Sequence, residues 1–459
     1  MNTLENTITT MGLLSKEAYN VGNFQIGAEI TANNQTYKVI DYVSTASDFQ
    51  ALLLQDESGK FVMAFRGTER DSISDWLNDV SIGFKNINEQ YNDAKEFLEK
   101  AMKDYGVTID NLTLTGHSLG GILTQQVGAT YGIKGYAFNP YGTDRLLSLP
   151  QSPFDGIVKN SLYGLLTSLV EKVMSAVGLT KANAQWAYEH IYNISYQDEG
   201  LLNGDILSNL ATELSSNHLG HFIPILGENV GFGEGHYMGT LNTAIAEYNE
   251  IVKKFDNSCR YEDITQMYLS TAIIHGSGYK KVRDEFKKLG ILNENGANDK
   301  IANNSLHLEV IAKDTDATSI FSGSNLSVAE LYALVNFNPF IVSNINSNAY
   351  DEIEKFKDEY SENYIKDKAK MFSELLGNHN GANLGTYYKD LQSGKELDLT
   401  QDFNGYYDEI VFGTNSNDNI TNLGSKSGEH KLYTLAGDDT IKLTGGSNYK
   451  FINLNLLVA

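Results

Sequence analysis

The most constraining stretch of the sequence is residues 112–121, which read L-T-L-T-G-H-S-L-G-G. The first four residues are a short β-rich run, and residues 122–127 begin a helical pattern. Between them lies G-x-S-x-G, in which the two glycines permit a sharp, strained turn around the central serine. A strand, a tight turn and a helix in this order predict a nucleophile elbow, with Ser118 as the nucleophile.

A second informative stretch begins with the apolar run at residues 61–65, which is typical of a strand buried on both faces of a mixed or parallel sheet. It continues into Arg66-Gly67-Thr68. A serine nucleophile needs N–H donors directed at the developing oxyanion, and one of them comes from the loop after an early strand. We expect Thr68 to supply this donor, and Leu119, the residue after the nucleophile, to supply the second from its backbone N–H.

Together these stretches resemble the class 3 lipase family, α/β-hydrolases that include the fungal triacylglycerol lipases. The family pattern is an apolar strand, R-G-[ST], D-W-x-x-D, an amphipathic helix and G-H-S-L-G-G. Each part occurs here, with D-W-L-N-D at residues 75–79 and the helical pattern at residues 91–103. The resemblance extends over about residues 35–250. It implies an α/β-hydrolase fold and the cleavage of lipid esters without a metal or cofactor in the chemistry.

The acid of the predicted catalytic triad belongs in a loop after a later strand, for which residues 193–197 are the candidate. The family carries this acid in a D-P-V-P-like sequence. Asp205, in D-I-L-S, matches that local pattern best, although the prolines are missing. Asp198 lies closer to the end of the strand and is the alternative acid.

The catalytic histidine follows the acid in the chain order of α/β-hydrolases. His236 has this position, in the glycine-flanked sequence G-E-G-H just before a helical pattern. His218 and His221 flank a strand and compete with it. His117 lies beside the nucleophile, and we expect it to be structural.

The charge balance narrows the range of partners. The 459 residues include 58 acidic and 35 basic side chains, which give a net charge of −23. Nucleic acid is not an expected partner, because binding to phosphates requires Lys and Arg. We expect a lipid or membrane-surface substrate instead, and the sequence does not predict an oligomeric state.

Cysteine content and the N-terminus bear on the cellular compartment. Cys259 is the single cysteine, so an intramolecular disulfide framework is excluded. The first residues lack the basic and apolar regions of a Sec signal peptide, and no apolar run reaches the ~18 residues of a membrane span.

We predict three parts in the chain: an α/β-hydrolase domain at residues 1–256, a mainly helical accessory region at 257–400, and a small β-rich tail at 401–459. Within the first part, residues 150–192 form a lid-like insertion whose apolar residues recur at helical spacing. This insertion is either a helix packed on the domain or a mobile amphipathic lid that docks on lipid.

The tail contains two short sequences, at residues 413–420 and 435–441, that resemble half-turns of the RTX calcium repeat. In that repeat, aspartates and carbonyl oxygens of adjacent turns hold the ion, so Asp418 and Asp439 are candidate ligands of a structural calcium. Their spacing is not a multiple of the nonapeptide repeat, and a small β-rich tail without calcium is the alternative. Acidic, cysteine-poor chains of this kind resemble proteins exported by type I secretion. We therefore expect a secreted protein.

The expected function is hydrolysis of a carboxylic ester of a lipid by a Ser-His-Asp triad through an acyl-enzyme. Triacylglycerol lipases and phospholipases A1 share such a site, and the sequence leaves the choice open. An alternative from a different class is a secreted, calcium-dependent binding or adhesion protein with a relic hydrolase domain. A protease or thioesterase on the same fold is the third hypothesis.

Overall fold

The chain divides into two compact units, Met1–Glu250 with Arg260–Glu262 and Ile251–Cys259 with Asp263–Ala459. Residue 256, where we predict a boundary, lies within the stretch Ile251–Cys259 of the second unit, and the three-part division stays a prediction. The computed structural model describes residues 3–67, 73–140, 181–198, 220–228, 230, 237–292, 301–322, 325–345, 348–378, 385–400, 407–423, 428–443 and 449–452.

The first unit contains an eight-stranded sheet whose strands lie side by side in chain order. The strands are β1 (Glu29–Ala32), β2 (Gln35–Ser44), β3 (Gln50–Asp56), β4 (Phe61–Phe65), β5 (Leu112–His117), β6 (Gly135–Phe138), β7 (Ile191–Asp198) and β8 (His221–Gly227). Strands β1 to β4 pair antiparallel, and β4 to β8 pair parallel. The carboxyl ends of the five parallel strands therefore meet at one edge of the sheet, where α/β proteins usually place their functional residues.

Helices connect the parallel strands of this sheet. They are α2 (Ile73–Tyr105) between β4 and β5, α3 (Leu119–Tyr131) between β5 and β6, and α4 (Lys181–His190) before β7. Helix α1 (Thr3–Glu17) precedes the sheet and continues into a 3₁₀ helix, Ala18–Asn23, while α5 (Met238–Val252) follows β8. In the described residues, strand and helix alternate from β4 to β7, as expected of an α/β-hydrolase, while the connection between β7 and β8 at residues 199–219 lies outside the described residues.

The core of the first unit lies between the central strands and helices α2 and α3. All five residues of β4 are buried, which confirms that the apolar run at residues 61–65 is a central strand. Side chains from this strand and from the two helices form one apolar cluster, which includes Phe61, Met63, Phe65, Phe97, Leu98, Leu123 and Val127.

Most of the predicted lid-like insertion cannot be compared with the structure. Residues 150–180 of it lie outside the described residues, and the described remainder forms helix α4 and the start of β7. The lid therefore stays a prediction. Among the helices that the structure does describe, none has both the length and the apolar character needed to cross a bilayer.

The second unit is helical in its first part. The helices are α6 (Tyr261–His275, whose first two residues belong to the first unit), α7 (Tyr279–Lys288), α8 (Ala317–Ile320), α9 (Val328–Asn336), α10 (Asp351–Lys355) and α11 (Glu362–Leu375). Two short strands, β9 (His307–Val310) and β10 (Phe340–Ser343), pair antiparallel among them. Ser327 and Glu330 form a capping box that explains where α9 begins.

The C-terminal part of the second unit consists of short strands that pair mainly in parallel. They are β11 (Thr386–Asp390), β12 (Lys395–Asp398), β13 (Asp408–Phe412), β14 (Asn419–Leu423), β15 (His430–Tyr433), β16 (Thr440–Leu443) and β17 (Tyr449–Ile452). One sheet has the order β12-β11-β13-β15-β17, and β14 pairs with β16 in a second. The two sheets share a small apolar core. This β-structure begins at Thr386, ahead of the predicted tail at 401–459.

Candidate active site

Ser118 occupies a strained turn between β5 and α3. Its backbone has φ 57° and ψ −119°, a combination that a non-glycine residue adopts only where the surroundings enforce it. The surroundings are visible: the Ser118 amide donates to the Phe138 carbonyl at 2.9 Å, and the Ser118 carbonyl accepts from the Gly121 amide at 3.0 Å. The predicted strand, turn and helix are therefore confirmed, and strain is concentrated at the predicted nucleophile.

The two glycines of G-x-S-x-G permit this turn because the backbone at each position lies too close to a neighbouring backbone to leave room for a side chain. A Cβ on Gly116 would lie 2.5 Å from the carbonyl carbon of Gly120. A Cβ on Gly120 would lie 2.8 Å from the carbonyl carbon of Phe65, at the end of β4. Side chains at either position would push helix α3 away from the sheet. The two glycines are therefore needed for the close packing of helix and sheet as well as for the turn conformation.

The segment after β4 lies directly against the nucleophile. A Cβ on Gly67 would lie 2.5 Å from the His117 carbonyl oxygen and 3.0 Å from the Ser118 Cβ. Arg66, the residue before Gly67, is held by an ion pair: its guanidinium donates to the Asp48 carboxylate at 2.7 Å. This arrangement matches that of an oxyanion loop, which must approach the carbonyl that the serine attacks.

Of the two predicted oxyanion donors, the structure describes Leu119 but not Thr68. Leu119 is the first residue of α3, so its N–H lies at a helix N-terminus, where a developing negative charge is favoured. Thr68 lies outside the described residues and stays a prediction. The D-W-L-N-D sequence falls at the start of α2.

In the sequence, the candidate acids come at or after the end of β7 and the candidate histidine comes after β8, and both strands end at the same edge as β5. Asp198 is the last residue of β7 and pairs with Gly227, the last residue of β8. Asp205 and His236 lie outside the described residues, and so does His218. His236 comes just before α5, in the connection that leaves β8 at this edge. Their assignment as acid and base stays a prediction.

His221 is at the opposite edge of the sheet. It is the first residue of β8, and its register partner Tyr192 lies near the start of β7. Its Nε2 is 3.2 Å from a carboxylate oxygen of Glu262. Because the carboxyl and amino ends of a parallel strand lie a strand length apart, His221 cannot reach Ser118, and this competitor is excluded.

Tyr19 is a residue of the site that sequence reasoning missed. It belongs to the 3₁₀ helix after α1, and its hydroxyl lies 2.6 Å from Nδ1 of the buried His117. A Cβ on Gly67 would overlap the same hydroxyl. No local pattern marks Tyr19, because its contact with His117 joins residues separated by 98 positions.

Asp418 and Asp439, the candidate calcium ligands, occupy equivalent positions: each is the residue just before one of the paired strands β14 and β16. The Asp418 amide donates to the Asp439 carboxylate at 2.9 Å across 21 residues. The Asp418 carboxylate in turn accepts from the Thr414 amide at 2.7 Å. The Asp418 carboxylate thus stabilises the turn before β14, and the Asp439 carboxylate links two segments of the tail. In the described part of the chain, no three acidic, histidine or cysteine side chains converge in a way that could hold a metal. Their assignment as calcium ligands stays a prediction.

Fold and site together define a class. A large mixed sheet with a strained serine at the carboxyl end of a central parallel strand, followed at once by a helix, is the arrangement of the α/β-hydrolases.

Parts of the chain are similar to known phospholipase-like proteins. Residues 10–147 match the family model of phospholipase-like proteins described as the Tle-like phospholipase domain. The extracellular phospholipase A1 of Serratia liquefaciens is 32% identical over 155 residues, which are 30% of this chain and 46% of that protein. The chain thus aligns with less than half of the relative's length. Tyr19, Gly67 and Ser118 all lie inside the region matched by the family model, and neither match is to a class 3 lipase or an RTX protein.

Solved structures show only a low similarity to this chain, in both sequence identity and TM-score. The S-formylglutathione hydrolase of Staphylococcus aureus has a TM-score of 0.24 and 14% identity, over 46% of this chain and 94% of that one. The extracellular lipase of Serratia marcescens has a TM-score of 0.20 and 14% identity, over 94% of this chain and 51% of that one. Scores this low carry no argument, so the fold assignment depends on the sheet order and the geometry around Ser118.

Proposed function

We propose that the chain is a lipolytic serine hydrolase that cleaves carboxylic esters of lipids. The observation that carries the proposal is the strained Ser118 at the carboxyl end of β5, packed against the Gly67 segment. The matches to phospholipase-like proteins support a lipid ester, in preference to a peptide or a thioester, as the substrate.

In the first half of the reaction, Ser118 Oγ attacks the ester carbonyl while His236 accepts its proton. Asp205, or Asp198 in its place, orients the imidazole and stabilises the imidazolium. Backbone N–H groups of Thr68 and Leu119 bind the oxyanion of the tetrahedral intermediate. Collapse of this intermediate expels the alcohol, which takes the proton from His236 and leaves an acyl-serine.

In the second half, His236 accepts a proton from water as the water oxygen attacks the acyl-enzyme, and the proton returns to Ser118 on release of the fatty acid. One ester and one water thus give one acid and one alcohol. The chemistry requires no metal. Calcium binding by the tail would serve folding or export only.

Within this class, the relatives favour a phospholipase A1, which releases the fatty acid at the sn-1 position, over a triacylglycerol lipase. The proposal includes action outside the cell, because the Serratia liquefaciens relative is an extracellular enzyme. Export by a type I system remains part of the same proposal.

The test is fatty-acid release from p-nitrophenyl esters of increasing chain length, from trioleoylglycerol and from phosphatidylcholine vesicles, with and without calcium. Ser118→Ala is expected to lower kcat/KM on the order of 10⁶-fold, the loss typical of a removed serine nucleophile. Phospholipid turnover that yields the sn-1 acid identifies a phospholipase A1. Folded protein that hydrolyses no ester under any condition would contradict the proposal and favour the binding-protein hypothesis.

The same assay separates the two candidate acids. Asp205→Asn and Asp198→Asn are each compared with the wild type, and the substitution of the true acid is expected to lower kcat by about 10⁴-fold. The other variant serves as its matched control, because Asp198 ends β7 and Asp205 comes seven residues later in the sequence.

A further inference from the structure

The end of β6 connects the nucleophile to the strand that leads to the candidate acids. Phe138, the last residue of β6, accepts the hydrogen bond of the Ser118 amide at 2.9 Å. The next residue, Asn139, is bound to β7 by two hydrogen bonds. Its amide donates to the Ile194 carbonyl at 2.8 Å, and its side-chain oxygen accepts from the Tyr196 amide at 2.8 Å. Two consecutive residues therefore hold both the Ser118 turn and β7.

The side chain of Asn139 takes the place of a backbone group of the sheet. Phe138 pairs with Ile194, so residue 139 stands opposite residue 195. A regular parallel ladder would then bring the Tyr196 amide to the backbone carbonyl of residue 139. Asn139 instead has a φ of 39°, in the left-handed region that asparagine tolerates better than most residues. Strand β6 ends before it, and the side-chain oxygen accepts the Tyr196 amide in place of the carbonyl.

This hydrogen bond lies in the interior of the first unit. Asn139 is fully buried, and Tyr196 is only 2% exposed. Without the side-chain oxygen, the Tyr196 amide would lose a buried acceptor, so the end of β7 would have to shift or admit water. Asp198 is two residues beyond Tyr196, and Asp205 comes later in the same direction along the sequence. Whichever of them is the acid, its distance from Ser118 depends on where β7 ends.

We propose that Asn139 is a positioning residue of the catalytic site, which aligns the acid with the nucleophile by holding the end of β7 against the end of β6. The inference rests on the proposed function and adds to it a residue that does not touch the substrate. The competing explanation is a purely structural role, in which Asn139 stabilises the sheet and has no influence on the geometry of the triad.

The first experiment is Asn139→Gly, which removes the acceptor and leaves a residue that adopts a positive φ without strain. We expect kcat for a soluble p-nitrophenyl ester to fall by about 10–10²-fold, because a displacement of about 1 Å in a catalytic group has an effect of this size. KM should change less than about threefold. Titration of active serines with a fluorophosphonate corrects each kcat for misfolded enzyme.

Asn33→Gly is the matched control. Asn33 also has a positive φ, of 48°, and its side chain donates to the Thr10 hydroxyl at 3.2 Å. It lies in the turn between β1 and β2, at the edge of the sheet opposite to Ser118. The substitution removes an asparagine side chain and its hydrogen bond in the same way, and it should leave kcat unchanged.

The pH dependence of kcat/KM separates positioning from stability. The pKa of its acidic limb reports the catalytic base of the free enzyme. In Asn139→Gly we expect this pKa to move to lower pH, because a displaced carboxylate stabilises the imidazolium less. A substitution that only reduces the amount of folded enzyme lowers kcat/KM equally at every pH. An unchanged pKa would therefore contradict the positioning role.

A second test uses the variant of the true acid, Asp205→Asn or Asp198→Asn, as the background. Once the acid is gone, a residue that acts through it has little left to influence. We therefore expect Asn139→Gly to lower kcat by less than about threefold in this background. The full loss in both backgrounds would show that Asn139 acts on another part of the site and would overturn the inference.

Asn139→Asp keeps an acceptor oxygen for the Tyr196 amide and also tolerates a positive φ. It is expected to retain kcat within about tenfold of the wild type and to lose less than Asn139→Gly. An equal loss in both variants, or a loss above tenfold in Asn139→Asp if the glycine variant does not fold, overturns the inference.

The outcomes distinguish the inference from the function on which it rests. Hydrolysis that depends on Ser118 but is unchanged by Asn139→Gly overturns the inference alone. Absence of any Ser118-dependent hydrolysis overturns both.

Discussion

Gly67 lies where three segments of the first unit meet: the segment that follows β4, the elbow at His117 and Ser118, and the 3₁₀ helix that carries Tyr19. Because glycine has no side chain, these segments can approach one another closely here. One neighbour, the His117 carbonyl, is backbone and cannot rotate away. The residue is therefore a sensitive probe of how closely the site must pack.

Gly67→Ala is expected to displace the oxyanion segment, because its Cβ would stand 2.5 Å from the His117 carbonyl oxygen. We expect kcat/KM to fall by about 10²-fold, since a shift of about 1 Å at an oxyanion donor has an effect of this size. Overpacking should also lower the free energy of unfolding by about 1–3 kcal/mol. Ester hydrolysis and chemical denaturation measure the two effects.

Gly22→Ala is the control for this substitution. Gly22 lies in the same 3₁₀ helix as Tyr19, and a Cβ there would meet no atom within 4 Å. It should leave hydrolysis and stability close to wild type. Wild-type kcat/KM in Gly67→Ala would show that this close approach is not part of the catalytic geometry.

At the scale of elements, the second unit joins helix α11 to the strands of its C-terminal part through a buried ion pair. The Lys368 ammonium contacts the Asp390 carboxylate, and both side chains are fully buried. The ammonium also lies 4.1 Å from the centre of the Phe337 ring and 5.0 Å from that of Phe412. Burial lowers the pKa of Lys368, and the neighbouring Asp390 opposes this effect.

Lys368→Met is expected to lower the free energy of unfolding by about 3–5 kcal/mol, because it leaves the Asp390 carboxylate buried without its counter-charge. Adding Asp390→Asn should recover part of this loss, since the uncompensated charge is then gone. Urea denaturation of the full chain measures both values.

The matched control is Lys370→Met on the same helix. Lys370 forms a partly exposed pair with Asp367, at 3.5 Å, and such pairs contribute at most about 1 kcal/mol. Equal losses in the Lys368 and Lys370 variants would mean that burial of the ion pair has no special role.

At the scale of the whole molecule, the net charge of −23 governs how the protein meets a charged surface. An acidic enzyme is repelled by an anionic bilayer, and salt weakens this repulsion. Raising the ionic strength from about 0.01 M to about 0.15 M shortens the screening length from about 30 Å to about 8 Å.

We therefore expect hydrolysis of vesicles rich in phosphatidylglycerol to become several-fold faster over this range of salt, while hydrolysis of pure phosphatidylcholine vesicles changes little. A soluble p-nitrophenyl ester reports any effect of salt on the chemical step itself. The same salt response on both kinds of vesicle would contradict a role of net charge.

Local pattern predicted much of this protein. The apolar run of β4, the G-x-S-x-G turn and the helix after it are confirmed, because strand burial, glycine spacing and helical periodicity are properties of neighbouring residues. The same reasoning selected Ser118 and Leu119, which share one turn. It could not separate Asp205 from Asp198, since both follow the same strand.

Only the tertiary structure decided which distant residues meet. His221 is excluded by the direction in which β8 runs, and Tyr19 joins the site through a contact across 98 residues. The 21-residue spacing of Asp418 and Asp439, which did not fit a nonapeptide repeat, is the length of one pass between paired parallel strands. Strand order and strand direction follow from the packing of the whole unit. The residue pattern by itself therefore determined the nucleophile elbow, and the tertiary structure decided which other residues lie near Ser118.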